Sequence, residues 1–496
     1  MTITGAADNS VFRDDQRSAG KIIHLVATTQ QGLSAPMMPH RFDPTILREY
    51  DIRGVVGETL FAADAYAIGR SFGATVLKSG GRSVAVGYDG RLTSPELEAA
   101  LVKGLAEAGI DVVRVGRGPT PMLYFASATL GVSGGIQVTG SHNPPDHNGF
   151  KMVLEGKPFY GPAIQGLAKT AGSLGPATET RGAVKDHPIV DDYIARVLHD
   201  YDGERPLSVA WDPGNGAAGE VTSRITAKLP GRHIVINAEI DGNFPAHHPD
   251  PTVPENLVQL QQTVREHGCE LGIAFDGDGD RIGVVDARGR ILWGDQLMIV
   301  LARDVLARIP GAQILADVKA SQVFFDEIAK LGGRPLMLPT GHSPIKAKLA
   351  ETGAPLAGEM SGHIFFADHY YGFDDAVYTA VRLLGILARS SESVADIVDR
   401  LPTVINTPEL RLPCEEARKF AIVQEIHQRL RQRGADINDV DGVRVRCADG
   451  WWLVRASNTQ AIIVARAEAS SEAGFARVKD ELAAELAASG LNLPVS

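Results

Sequence analysis

The chain has 496 residues, 44% hydrophobic and 22% charged, with a formal net charge of −11. That length exceeds one hydrophobic core and predicts roughly three to four domains, while the acidic balance excludes nonspecific binding to nucleic acid or to acidic membranes, whose phosphates repel such a surface. The longest apolar runs, such as LMIVLA at 297–302, fall far below the ~20 residues of a membrane span, and Cys269, Cys414 and Cys447, widely spaced without a CxxC pair, predict reduced thiols in a cytoplasmic protein.

Residues 1–40 hold Asp, Asn, Ser and Gln clusters around one short apolar stretch, IIHLVA. Lys21, that stretch and a later Ser-Ala-Pro imitate a secretory signal, but the stretch is shorter than an h-region and starts late. The segment is read as a disordered extension. Next comes a repeated pattern. SVAVGYDG at 83–90 precedes a helical PELEAALVKGLAEAG and a strand DVVRVG; LSVAWDPG at 207–214 precedes NGAAGEVTSRITAKL and RHIVINAE; QILADVKAS at 313–321 precedes QVFFDEIAKLGG and RPLMLPTG. Continuous apolar runs suit strands buried on both faces of a parallel sheet, and strand–helix–strand at this spacing is a right-handed βαβ unit. Three copies predict three similar α/β domains in tandem. The stretch LPTVINTPELRLPCEE at 401–416, with three prolines, reads as a linker. Beyond it, VRVRCADGWWLVRASN and AIIVARAE read as two alternating strand runs and SEAGFARVKDELAAELAASG as an amphipathic helix, the pattern of a smaller antiparallel α+β domain.

Four loops carry the candidate chemistry. TGSHNPPDHNGFK, residues 139–151, follows the apolar strand GGIQVTG, so Gly140, Pro144, Pro145 and Gly149 hold Ser141 on a tight loop at a strand's C-terminal end, where ligands bind in parallel α/β sheets. Such a serine can carry a phosphoryl group with Lys151 supplying charge; for the serine alone a structural turn is the competing reading. FDGDGDRIG, residues 275–283, alternates Asp276, Asp278 and Asp280, and an extended loop aims the three carboxylates at one point, a hard oxygen set suited to Mg²⁺, with a plain acidic turn as the competing reading. An EF-hand fails, since Arg281 and Ala287 stand where Gly and Glu are needed. A GxGxxG fingerprint fails too, because the third glycine arrives one residue late at Gly283. GEMSGH, residues 358–363, offers Glu359 and Ser361 to sugar hydroxyls or else forms a capping turn, and PTGHSPIK, residues 339–346, places His342 and Lys346 at another strand end. RASNT, residues 455–459, joins two strands of the last domain and forms an anion nest from an Arg fork, hydroxyls, an amide and backbone N–H groups, or else a plain β-turn.

Taken together, the serine loop, DGDGDR, GEMSGH and RASNT occur in the order and spacing of a known family. Over about residues 41–496 the chain resembles the α-D-phosphohexomutases, most closely their bacterial phosphomannomutase/phosphoglucomutase members. The resemblance implies three α/β domains, over 41–187, 188–290 and 291–402, and a C-terminal α+β domain over 403–496, arranged around a central cleft with one loop each. Ser141 corresponds to the family's phosphoserine; Asp276, Asp278 and Asp280, with a phosphoserine oxygen, correspond to the ligands of one Mg²⁺. Glu359 and Ser361 match the readers of the sugar's 3- and 4-hydroxyls, and Arg455, Ser457, Asn458 and Thr459 match the grip on the distal phosphate. Tyr50 and Arg53 in YDIRG also fall at active-site positions, as do Lys151, Arg281, Lys319, His342, His363 and Asp374. Of these, Arg53, Lys151, Arg281, His342 and His363 are expected to serve the chemistry beside Ser141, and Tyr50, Lys319 and Asp374 to bind substrate.

The expected reaction interconverts hexose 1- and 6-phosphates through a hexose 1,6-bisphosphate, with His363, His342 or Lys151 left open as the proton carrier. Small hexose phosphates are the expected partners, and a monomer or weak dimer the expected state. Relatives acting on amino sugars usually carry Gln and Gly where Met360 and Asn458 stand, which favours neutral hexoses over glucosamine phosphate. An inactive sugar-phosphate sensor of the same fold is expected to lack Ser141 or an aspartate ligand, and all are present. One departure touches the phosphate loop: family members commonly continue it as Thr-Glu-Pro, whereas Gln460 and Ala461 follow Thr459 here.

Overall fold

A computed structural model of the chain describes residues 40–175 and 180–493. The expectations for the N-terminal extension and its signal-like stretch, apart from His40, lie outside the described residues. No described helix is long and apolar enough to cross a membrane.

The three repeats become three mixed sheets. Strand Ser83–Tyr88, helix Ser94–Glu107 and strand Asp111–Arg117 form the first βαβ unit. Leu207–Asp212, Gly219–Thr226 and Gly231–Val235 form the second. Gln313–Asp317, Gln322–Lys330 and Arg334–Leu338 form the third. The leading strands are continuous apolar runs because both faces are covered; Val84, Ala85 and Val86 are all fully buried. One apolar core runs through all three units, from Ala85 to Leu401.

Each sheet gains a second parallel strand on the other side of its leading strand: Gly134–Val138, Leu271–Phe275 and Leu356–Gly358. Each of these then turns directly into an antiparallel neighbour, His147–Leu154, Ile282–Asp286 and Ile364–Phe366. The connections are residues 139–146, 276–281 and 359–363. The serine, aspartate and sugar loops therefore occupy the same topological position in their three sheets.

The fourth sheet is wholly antiparallel and has its own core. Two expectations change here. The run 443–458 is a hairpin of two strands, Val443–Arg446 and Gly450–Ala456, broken at the Ala-Asp-Gly turn. The stretch 401–416 is no slack linker either: Ile405–Asn406 and Leu410–Pro413 both pair with Ile462–Ala469. Its prolines are tolerated because Pro408 lies between the strands and Pro413 at an end. A helix not singled out from sequence, Lys419–Gln432, packs on this sheet beside the expected Glu472–Ala487. Arg444 docks the fourth sheet on the third unit: stacked 3.7 Å over Trp451, it donates to the carbonyls of Val318 at 2.6 Å and Ala320 at 2.7 Å.

Candidate active site

Ser141 sits at φ +47°, a left-handed conformation costly for a residue with a Cβ. A buried arginine holds it there. Arg91 donates to the main-chain carbonyls of Ser141 at 2.8 Å and His147 at 2.9 Å, and also to those of Asn143 and Pro144. Its neighbour Asp89 accepts from the Gly140 N–H at 3.1 Å. A Cβ on Gly140 would fall 2.3 Å from Arg91 Nε, so only glycine lets the guanidinium lie against the loop. Arg53 adds bonds to Gly140 O and to Asn143 Oδ1.

The aspartate loop is a tight hairpin connection rather than the extended loop expected from sequence. Asp276 Oδ1 accepts from the backbone of Asp280 at 3.0 Å and Arg281 at 3.1 Å, and Gly279 turns the chain at φ +73°. The alternating carboxylates nevertheless converge: one oxygen of each of Asp276, Asp278 and Asp280 lies within 4.8 Å of the others, and all three residues are fully buried. Ser141 Oγ donates to Asp276 Oδ2 at 2.9 Å, which joins the first loop to the second. Gly277 makes this possible, because a Cβ there would stand 2.3 Å from Ser141 O.

Charge in this floor is unevenly balanced. Burial and the neighbouring Asp278 and Asp280 push Asp276 well above the ordinary carboxylate range. Burial opposes ionisation of Asp278 as well, but Lys151 at 2.8 Å and Thr120 hold it low. Lys151 also reaches Asp280, and the two carboxylates raise its pKa against burial, so it keeps its proton. The second oxygens, Asp278 Oδ1 and Asp280 Oδ1, are buried without a hydrogen-bond partner. Two orphaned anionic oxygens beside a third carboxylate fit an oxygen-seeking divalent cation.

Asp280 leads on to the histidines. Arg281 Nε donates to His363 Nε2 at 3.0 Å, so His363 carries its proton on Nδ1, 3.1 Å from Asp374 Oδ2. Asp280, His363 and Asp374 also bring ligand-type atoms within 4.8 Å of one another, but that tautomer puts a proton on Nδ1, which then is no metal ligand. His342 stacks on His363 at 5.4 Å, its basicity lowered by burial and by Lys346. Asp374, expected to bind substrate, is fully buried and bonded to Lys346 at 2.8 Å; it lies 3.1 Å from His363 Nδ1 and 3.5 Å from His342 Nδ1 and does not line the cleft.

In the sugar loop, Glu359 Oε1 accepts from the Gly341 N–H at 2.8 Å, leaving Oε2 toward the cleft that Ser361 also lines. Lys319 pairs with Glu409 at 3.1 Å, and Arg466 fixes the Lys319 carbonyl. In the phosphate loop, Arg455 Nε rests on Asp441 at 2.9 Å, and Ser457 Oγ accepts from the Thr459 and Gln460 N–H groups. Where the family's Glu-Pro is missing, two cations support the turn: Arg48 donates to Thr459 O at 2.9 Å and the buried Lys419 to Gln460 O at 3.2 Å. Tyr50 ties three units together, accepting from Asn458 Nδ2 at 2.7 Å and donating to Thr340 O at 2.8 Å; burial pushes its hydroxyl up to about 12.

One cleft of 860 Å³ is lined by Tyr50, Arg53, Ser141, Lys151, Arg281, Lys319, His342, Glu359, Ser361, His363 and residues 455 and 457–459. The three aspartates lie just beneath it. Sequence reasoning missed Arg91, Thr120 and Arg48, as well as His142, whose Nδ1 lies 3.1 Å from Ser141 Oγ. For Arg91 a signal existed: the first repeat's strand ends in Asp-Gly-Arg, a charged pair at the end where the other loops gather.

A four-unit α/β, α+β chain with a serine loop laid on buried aspartates defines a class, and comparison with known proteins gives the same one. Family models of the phosphoglucomutase/phosphomannomutase α/β/α domains I, II and III match residues 44–173, 191–289 and 293–404, and that of the C-terminal domain matches residues 409–485. The chain belongs to this family of α-D-phosphohexomutases. Among its relatives, the phosphomannomutase/phosphoglucomutase of Pseudomonas putida is 45% identical over 452 residues, covering 91% of this chain and 97% of that protein. The protein of the same name from Pseudomonas aeruginosa strain PAO1 is 44% identical over 461 residues, 93% and 98% of the two chains. A crystal structure of a phosphoglucomutase/phosphomannomutase family protein from Burkholderia thailandensis superimposes with a TM-score of 0.86 at 45% identity, covering 92% of this chain and all of that one.

Proposed function

We propose that the chain interconverts hexose 1-phosphates and hexose 6-phosphates, as a phosphomannomutase/phosphoglucomutase, with Ser141 as the phosphoryl carrier. It is an isomerase of the phosphohexomutase type, like the relatives that match 91–93% of its length. The observation that carries the residue assignment is the contact of Ser141 Oγ with Asp276 at 2.9 Å, on the floor of a cleft whose far side holds the Arg455 loop.

In this reading the distal phosphate of the substrate rests on Arg455, Ser457, Asn458 and Thr459, and Glu359 and Ser361 hold the sugar hydroxyls. The free hydroxyl then faces phosphorylated Ser141. The bond from phosphorus to Ser141 Oγ breaks as one to the sugar oxygen forms, and the hydroxyl proton passes to His363 at Nε2, the nitrogen that accepts from Arg281 in the free protein, while Nδ1–H stays on Asp374. Lys151 is the poorer base because its proton is held by two carboxylates. The hexose 1,6-bisphosphate turns end for end and returns its other phosphoryl group to Ser141. Arg53 and Arg281 keep positive charge beside the serine loop throughout. Asp276, Asp278 and Asp280, with a phosphoserine oxygen, would hold one Mg²⁺, which supplies further stabilisation of the charge on the transferring group.

Ser141→Ala tests the carrier. The variant should keep its fold and lose nearly all mutase turnover, and intact-mass analysis after incubation with glucose 1,6-bisphosphate should show no added phosphate. Labelling of the variant at another residue would remove Ser141 from the role.

A further inference from the structure

Among the described residues, Arg48 is the cleft cation with no carboxylate within 4.0 Å. Among the described residues, Arg53, Lys151, Arg281, Lys319, Arg411, Arg455 and Arg466 line the same cleft, and each has a carboxylate within 4.0 Å. Arg48 has none; its one side-chain hydrogen bond runs from Nη1 to Thr459 O at 2.9 Å. A guanidinium carries five N–H donors in a fixed fork, so Nη2 and Nε remain unspent at the edge of the phosphate loop. The backbone explains how it gets there. Residues 48–51 make a tight turn, with Arg48 N donating to Ile46 O at 3.0 Å and to Asp51 O at 3.1 Å. Arg48 leaves that turn toward the C-terminal sheet, while Arg53, just past it, reaches the serine loop.

We propose that Arg48 binds the distal phosphate of the substrate directly, as a second arginine opposite Arg455. This rests on the proposed reading of the 455–459 loop as the phosphate grip. Arg455 shares its charge with Asp441 at 2.9 Å, whereas Arg48 has no carboxylate within 4.0 Å, the nearby Asp43 feeling its charge only from farther off, and a dianion is the partner that pairs with it directly. The grip then spans the first and fourth units, and a bound phosphate clips one to the other. A free hexose, lacking the anion, gains nothing from it.

The test compares Arg48→Ala, Arg48→Gln and Arg48→Lys with Arg455→Ala, using steady-state kinetics on glucose 1-phosphate and competitive inhibition by inorganic phosphate. Removing a charged hydrogen-bond donor should raise KM and the phosphate inhibition constant about tenfold or more in the Ala and Gln variants, with kcat little changed and partial recovery in the Lys variant. Gln keeps an N–H for Thr459 O but no charge. If Arg48→Gln matches the parent while Arg48→Ala does not, the residue only props the loop and the proposal falls. It falls equally if all three match the parent while Arg455→Ala weakens binding, which leaves the phosphate-grip reading standing. If Arg455→Ala leaves both constants unchanged, that reading fails instead and takes this proposal with it.

Discussion

Gly277→Ala puts one methyl group where the aspartate loop crosses the serine loop. The added Cβ falls 2.3 Å from Ser141 O and 3.1 Å from its carbonyl carbon, and ordinary contact begins at 3.4 Å. Both are main-chain atoms that cannot swing aside, so the two loops must part by about 1 Å. That parting stretches the 2.9 Å contact between Ser141 Oγ and Asp276. A misplacement of about 1 Å at a reacting group costs on the order of 100-fold in rate, and overpacking costs about 1–3 kcal/mol of stability. The variant should therefore lose about 100-fold in kcat while KM changes little, since neither the sugar loop nor the phosphate loop is touched. Conversion of glucose 1-phosphate, coupled to a dehydrogenase that consumes the 6-phosphate, reads the loss directly. Gly166→Ala is the control: it lies in helix Pro162–Ala171 with nothing within 4 Å of the added carbon, so it should leave kcat alone and add up to about 1 kcal/mol of stability. A Gly277→Ala enzyme within about threefold of the parent kcat would show that this close approach does not set the serine's position.

Two further outcomes follow from the buried charges. Chelation should abolish turnover, with recovery on Mg²⁺, and millimolar Mg²⁺ should raise the unfolding temperature of the chelated parent but not of Asp278→Asn, because in the proposed site the orphaned oxygens of Asp278 and Asp280 are what the ion would satisfy; an equal shift in both proteins would place the ion elsewhere. Burial pushes Asp375, the N-cap of helix Ala376–Ala388, from 3.8 up to about 7, against hydrogen bonds from the Tyr378 N–H, Tyr370 and Tyr193. A folded pKa above the unfolded one means the native chain holds the proton more tightly, so this group's contribution is present below pH ~4, falls as pH rises, and is gone above ~7, a span of about 4 kcal/mol. Asp375→Asn keeps a capping acceptor and removes the titration, so urea midpoints of parent and variant should diverge between pH 5 and 8 in the variant's favour, and parallel profiles would count against the raised value.

The four loops were legible because each is a short string whose residue types make sense only together. Their position was partly legible: apolar runs ending in Asp mark strand ends, but nothing in the pattern says that the next strand returns antiparallel. The supports were not legible, since they are made across long stretches of chain. Arg91 reaches carbonyls 50 to 56 residues away and Arg48 reaches Thr459 across 411. A buried arginine that solvates main chain looks, in one sequence, like any surface arginine. Asp374 was placed near the chemistry but is buried out of the cleft lining, a depth that sequence position does not carry. The 401–416 stretch misled for a related reason, its three prolines being read as breaks throughout when they leave room for two short strands, with Pro408 between them and Pro413 ending the second.

The hairpin seat shared by the loops limits how this enzyme can adapt. A turn clamped on both flanks by interstrand bonds cannot wander, so each unit presents its chemistry on a stiff mount. An intermediate that has to rotate between half-reactions cannot obtain room from the mounts themselves. If room comes from whole units swinging apart, the connecting chain on the C-terminal side is short: residues 402–404, between the core residue Leu401 and strand Ile405–Asn406. Substitutions at 402–404, which lie past the core residue Leu401, are where such a swing would be altered without touching the sugar.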